Sequence, residues 1–164
     1  MELHRHLSRL VRYNGWANAQ VLDQAVKILP AQPGYGERYG VLADELLHVL
    51  QAEEFWLAVW RKEPVHQTTD ATRAELVAAY AGAQTELESY IAGLDETDLA
   101  STVTRVGSHE TISAPLADLI AHLIGHNTFH RGGIALLLTN EGHSPGDLDL
   151  YDFILLHDGG SLER

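Results

Sequence analysis

The 164-residue chain contains no cysteine. Disulfides and thiolate metal sites are therefore excluded, and any thiol chemistry must use a thiol brought by another molecule. Positive charge is scarce: 11 Lys and Arg stand against 23 Asp and Glu, a formal net charge of −12. A phosphate-tracking nucleic-acid binder needs a basic face, and docking on an anionic membrane needs one too, so neither partner is expected. No apolar run approaches the roughly 18 residues of a membrane span. The first residues, MELHRHLSRLVRYN, lack the apolar core of a signal peptide. These absences predict a soluble, cytoplasmic protein. An apolar content of 45% and a length that suits one domain predict a single globular unit over residues 1–164.

Helix signals dominate what is present. Leu3, Leu7, Leu10, Val11, Asn14, Asn18, Val21, Leu22 and Ala25 recur at helical spacing as far as Pro30. Pro30 to Gly40 reads as a connection. A second helix is predicted from about Tyr39 to Arg61, with Val41, His48, Ala52, Phe55 and Val59 on its inward face. Thr72 and Glu75 form a capping box for a third helix that ends near Gly93. Residues 94–113 are the least helical stretch, and Thr102–Val106 with His109–Ile112 could pair as a short hairpin. Ser113 is expected to cap a fourth helix, with Pro115 in its first turn and Gly142 at its end. The tail from Ser144 begins as a turn and is expected to pack back. Four amphipathic helices in one chain predict an all-α, four-helix bundle.

The fourth helix carries the most informative pattern, His122-Leu-Ile-Gly-His126-Asn-Thr-Phe-His130-Arg131. Each four-residue step turns a side chain by only about 40°, so the three histidines share a face. Leu119, Leu123, Ile134 and Leu137 lie on or near that stripe, which predicts imidazoles pointing into a core. A buried imidazole needs a partner for each nitrogen, and a metal ion is a common shared one. A pair one turn apart needs a third ligand, and His48 is the best candidate. Spacing alone admits His126 with His130 or His122 with His126, because the level at which His48 crosses is not in the sequence. Three neutral imidazoles leave a position open for water or substrate. Such an ion lowers the pKa of a bound water to roughly 7 or stabilises a bound thiolate. Zinc or nickel comes first, with iron or copper also suited to imidazole. Asn127 stands where the H-E-x-x-H metalloproteases carry their glutamate, so that base is missing.

Other residues invite plainer readings. His4, His6, His66 and His157 are expected on the surface, His109 exposed in the hairpin, and His143 against the last carbonyls of the fourth helix. Trp16 is expected to pack the core, and Asn14 and Asn18 to satisfy internal polar groups beside Tyr13. Glu53 lies about 140° around the helix from His48 and is expected in a salt bridge or a subunit contact. Arg131 points away from His130 and is expected to pair with an acid. Glu45, about 60° from His48, is a distant candidate for a general base.

Three stretches carry a resemblance: Tyr13-Asn-Gly-Trp-Ala-Asn18, then His48-Val-Leu-Gln-Ala-Glu53-Glu-Phe-Trp56, then His122 to Gly132 followed by Gly142-His-Ser-Pro145 and Asp147-Leu-Asp149. In this order they resemble the DinB/YfiT-like family of bacterial metal-binding bundles. The resemblance implies an up-down-down-up bundle, often a homodimer, and a divalent metal on His48, His126 and His130, with His122 in a supporting role. Gly133 departs from the glutamine that the family often has there. Relatives include thiol-dependent S-transferases and an isomerase that use small thiols such as mycothiol or bacillithiol. The implied function is a metal-dependent thiol S-transferase acting on a small-molecule substrate in stress response or detoxification. The alternatives are a non-catalytic metal-binding stress protein and a hydrolase using metal-bound water.

Overall fold

A computed structural model describes residues 2–32, 35–107 and 111–160. The chain order is α1 (Glu2–Ile28), α2 (Gly36–Arg61), α3 (Arg73–Ala92), α4 (Glu96–Ala100), β1 (Thr102–Val106), β2 (Thr111–Pro115), α5 (Leu116–Asn140) and α6 (Leu150–His157). Two apolar clusters fix the directions of the long helices. One joins Leu7 and Val11 of α1, Trp56 and Trp60 of α2, Leu87 and Ile91 of α3, and Leu116 to Ile124 of α5. The other joins Val21 to Leu29, Leu42 to Leu50, Leu76 with Tyr80, and Ile134 with Leu138. Helices α1 and α5 therefore run from the first cluster to the second, and α2 and α3 run back. This is an all-α, up-down-down-up four-helix bundle in which α5 lies between α1 and α2.

Local chemistry sets the ends. Thr72 and Glu75 cap α3 reciprocally, as their spacing predicts. The second helix starts at Gly36, three residues before the predicted Tyr39, on a glycine at φ 64°. Residues 94–113 hold more order than expected. Asp95 and Asp98 build a second capping box for the single-turn α4. The hairpin forms with β2 on Thr111–Pro115, C-terminal to the predicted strand. Ser113 does not cap the next helix: it lies in β2 and bonds the Thr104 hydroxyl at 2.8 Å. The first amide of α5, on Leu116, instead donates to the Ser101 carbonyl at 2.9 Å. His109 lies outside the described residues. The hairpin reaches back to α2, where the Arg105 guanidinium sits 4.7 Å from the Phe55 ring centroid. The tail turns and adds α6, whose Phe153 packs on Tyr13 and Trp16 of α1. Among the described residues no helix is long and apolar enough to cross a membrane.

The inward face of α2 is not the predicted one. Leu42, Leu46, Val49, Leu50, Glu53, Trp56, Leu57 and Trp60 are buried. His48 is exposed, and Val41 is 60% exposed. Of the predicted stripe, Ala52, Phe55 and Val59 are half-buried and pack on the edge of the first cluster, whereas Val41 and His48 are exposed. The histidine row of α5 is displaced in the same way. Asn127 and Arg131, not His126 and His130, face the interior.

Candidate metal centre

The antiparallel crossing of α2 and α5 brings the two flanks together. His48, His126 and His130 each offer one nitrogen, and these nitrogens lie within 4.8 Å of one another. Ring centroids are 5.0 Å apart for His48 and His126, 4.4 Å for His48 and His130, and 4.5 Å for His126 and His130. His122 sits outside this group, with its ring 6.2 Å from that of His126 and edge-on to Trp56 at 5.7 Å. The rings occupy a half-open rim, not the interior that their apolar neighbours predicted.

Two observations test whether these residues suit an ion. The Nε2 atom of His126 is buried and has no hydrogen-bond partner. A buried nitrogen in that state costs free energy unless something binds it. The chemistry of the donor set also fits. Loss of solvent, and then the neighbouring His130, His48 and His122, push the His126 pKa from 6.5 down to about 4, against an opposing effect of Glu45. The ring is therefore neutral at pH 7 and keeps a lone pair for a cation. Three imidazoles at this spacing could hold a divalent ion.

Glu45 is closer to the centre than the sequence indicated. Its Oε2 lies 2.7 Å from Nδ1 of His130. The pair is partly shielded, with side chains 19% exposed for His130 and 34% for Glu45.

Behind the rim lies a buried polar belt. Glu53 Oε1 accepts from the side-chain amides of Asn14 at 2.6 Å, Asn18 at 2.8 Å and Asn127 at 2.8 Å. Arg131 Nη1 donates to the Oδ1 atoms of Asn14 at 2.6 Å and Asn18 at 2.8 Å, and its Nη2 to Thr128 Oγ1 at 2.8 Å. Each of these two asparagines thus gives its amide hydrogens to the carboxylate and its oxygen to the guanidinium. Arg131 and Glu53 were expected in direct ion pairs; instead Asn14 and Asn18 stand between the two charges and bond to both. Burial raises the Glu53 pKa from 4.5 to about 7, against the three amide bonds and the Arg131 charge. Asn127 and Arg131 directly follow His126 and His130, so the belt anchors the other side of the same two turns. The signal for it was present in the sequence: Asn127 and Arg131 are four apart on a stripe about 100° around the helix from the histidines.

A family model described as the DinB family matches residues 3–158. The chain belongs to the DinB family. Protein DinB of Bacillus subtilis (strain 168) is 25% identical over 161 residues, covering 89% of this chain and 93% of that protein. In this DinB-family bundle the first of the three resembling stretches supplies Asn14 and Asn18 to the buried belt. The second and third supply the three clustered histidines. Of the other described histidines, His6, His66 and His157 are exposed as expected, whereas His4 is half-buried and its Nε2 lies 2.9 Å from the Ile91 carbonyl. His143 caps α5 through its backbone amide, bonded to Leu138, and not through its ring. Gly133 has open space where a side chain would begin, so nothing at that position covers the rim.

Proposed function

We propose that this DinB-family chain binds a divalent ion on His48, His126 and His130 and transfers a small-molecule thiol to an electrophile. The observation that carries the reading is the buried, partnerless Nε2 of His126 inside a cluster of three histidines. When bound, a zinc- or nickel-type ion supplies Lewis acidity that favours the thiolate form of a cosubstrate. The thiol must come from the cosubstrate, because the chain has no cysteine. In the transfer a new carbon–sulfur bond forms, the leaving group departs with its electron pair, and the thiol proton passes to solvent. The residues contribute placement. Three imidazoles from two helices leave coordination positions open, and His122 stays turned to Trp56.

The test begins with elemental analysis of untagged protein. Wild type should carry close to one ion per chain, and His48→Ala and His130→Ala should lose it. Loaded wild type should then consume an electrophile in the presence of a low-molecular-weight thiol, and both variants should not. No bound metal in wild type after incubation with zinc or nickel overturns the reading. Metal without turnover across a panel of thiols and electrophiles removes the transferase and leaves a metal-binding protein.

A further inference from the structure

The three histidines are not held alike. Among the described residues, His130 is the one member of the cluster whose ring nitrogen meets a carboxylate, at 2.7 Å from Glu45. The His48 ring is exposed, and His126 has a buried nitrogen with no partner. Glu45 precedes His48 by three residues on α2 and so reaches across the same seam one turn nearer the C-terminal end of α5. An ionised carboxylate can only accept hydrogen bonds. The proton of a neutral His130 ring must then sit on Nδ1, which leaves Nε2 as the nitrogen with a free lone pair.

We propose that Glu45 is the positioning residue of this centre, fixing the His130 ring in the Nδ1–H tautomer so that Nε2 is presented to the ion. The role presupposes the metal site proposed above. Glu45 does not touch the cosubstrate or the reacting atoms. It acts through His130, by choosing which nitrogen is free and holding the ring's angle. A glutamine here would keep a carbonyl oxygen for the Nδ1 hydrogen and lose the charge. An alanine would lose both.

The experiment compares wild type, Glu45→Gln and Glu45→Ala on the full chain. The tautomer of His130 is read from ring nitrogen chemical shifts of the apo protein, and zinc affinity from competition with a chromophoric chelator. Wild type and Glu45→Gln should both show the Nδ1–H form and bind zinc with similar affinity. Glu45→Ala should lose the tautomer preference and bind roughly 10- to 100-fold more weakly. Equal melting of the three apo proteins would show that the fold is unchanged. If Glu45→Ala melts low, the glutamine variant still carries the test. Three results overturn the proposal: an Nε2–H ring in wild type, unchanged affinity in Glu45→Ala, or Glu45→Gln as weak as Glu45→Ala. The last would make Glu45 a direct ligand or a charge effect. Wild type that binds no zinc overturns the metal reading itself, and the apo tautomer then reports separately whether Glu45 holds the ring.

Discussion

At the scale of single residues, Glu53 and Arg131 bring opposite charges into the middle of the bundle and share them through two asparagine amides. Removing one partner from a buried charge pair strands the other, at about 3–5 kcal/mol. Arg131→Met should therefore lower stability by that order in urea unfolding, although Arg131 touches no candidate ligand. Glu53 also predicts a pH dependence. Its pKa is raised from 4.5 to about 7 in the fold. Between these values the folded chain keeps a proton that the unfolded chain has released. Stability therefore falls as pH rises through the window and levels off above about 7, by up to about 3 kcal/mol. The depressed His126 works in the opposite sense, adding stability as pH rises from about 4 to 6.5. A comparison of wild type with Glu53→Gln cancels the histidine. Urea unfolding at pH 5 and pH 8 should show wild type losing stability relative to the variant at the higher pH. Parallel profiles would place the Glu53 pKa near its ordinary value.

At the scale of elements, two helix ends use the same motif with unlike residues. At the end of α5, the amides of Gly142 and His143 donate to the carbonyls of Thr139 and Leu138, with Gly142 at φ 80°. At the end of α2, the amides of Lys62 and Glu63 donate to Val59 and Ala58, with Lys62 at φ 58°. A side chain in the left-handed region costs about 1–2 kcal/mol. Lys62→Gly should raise the melting temperature and Gly142→Ala should lower it, with circular dichroism melts as the check. Caps are local, which is why the Thr72–Glu75 box and the Gly142 stop were legible in the sequence. The burial of α2 was not. This helix touches both α3 and α5, so its apolar residues spread over most of its circumference, and their period gives no single inward direction. Val41 and Val59 looked like core for that reason. The buried Glu53 was hidden because its solvation comes from asparagines on two other helices. Ser113 was misread because it follows a turn and precedes a helix, whereas its backbone was needed to pair with β1.

At the scale of the whole molecule, the bundle was legible because four long helical stretches separated by turn residues admit few other packings in a chain of this length. The histidine cluster was legible in part. The i, i+4 spacing lies within one helix, but the level at which α2 crosses α5 is a tertiary quantity, and it separates His130 from His122. The contact between Glu45 and His130 belongs to the same class, since nothing within either helix announces it.

The buried belt of Asn14, Asn18, Glu53, Asn127 and Arg131 lies between the two apolar clusters and crosses three helices. A slide of α5 by one turn would pull Arg131 and Asn127 off their partners on α1 and α2, so the belt acts as a register pin. The histidines on the outer side of those turns are consequently aligned before any ion arrives. An entering ion should find a finished seat and drive no folding. Zinc titration by calorimetry should then show a heat-capacity change near zero, and apo and loaded protein should differ in stability only by mass action. A seat of this kind could exchange an occupant without unfolding, so any ion held there would follow supply and not the history of the chain's synthesis.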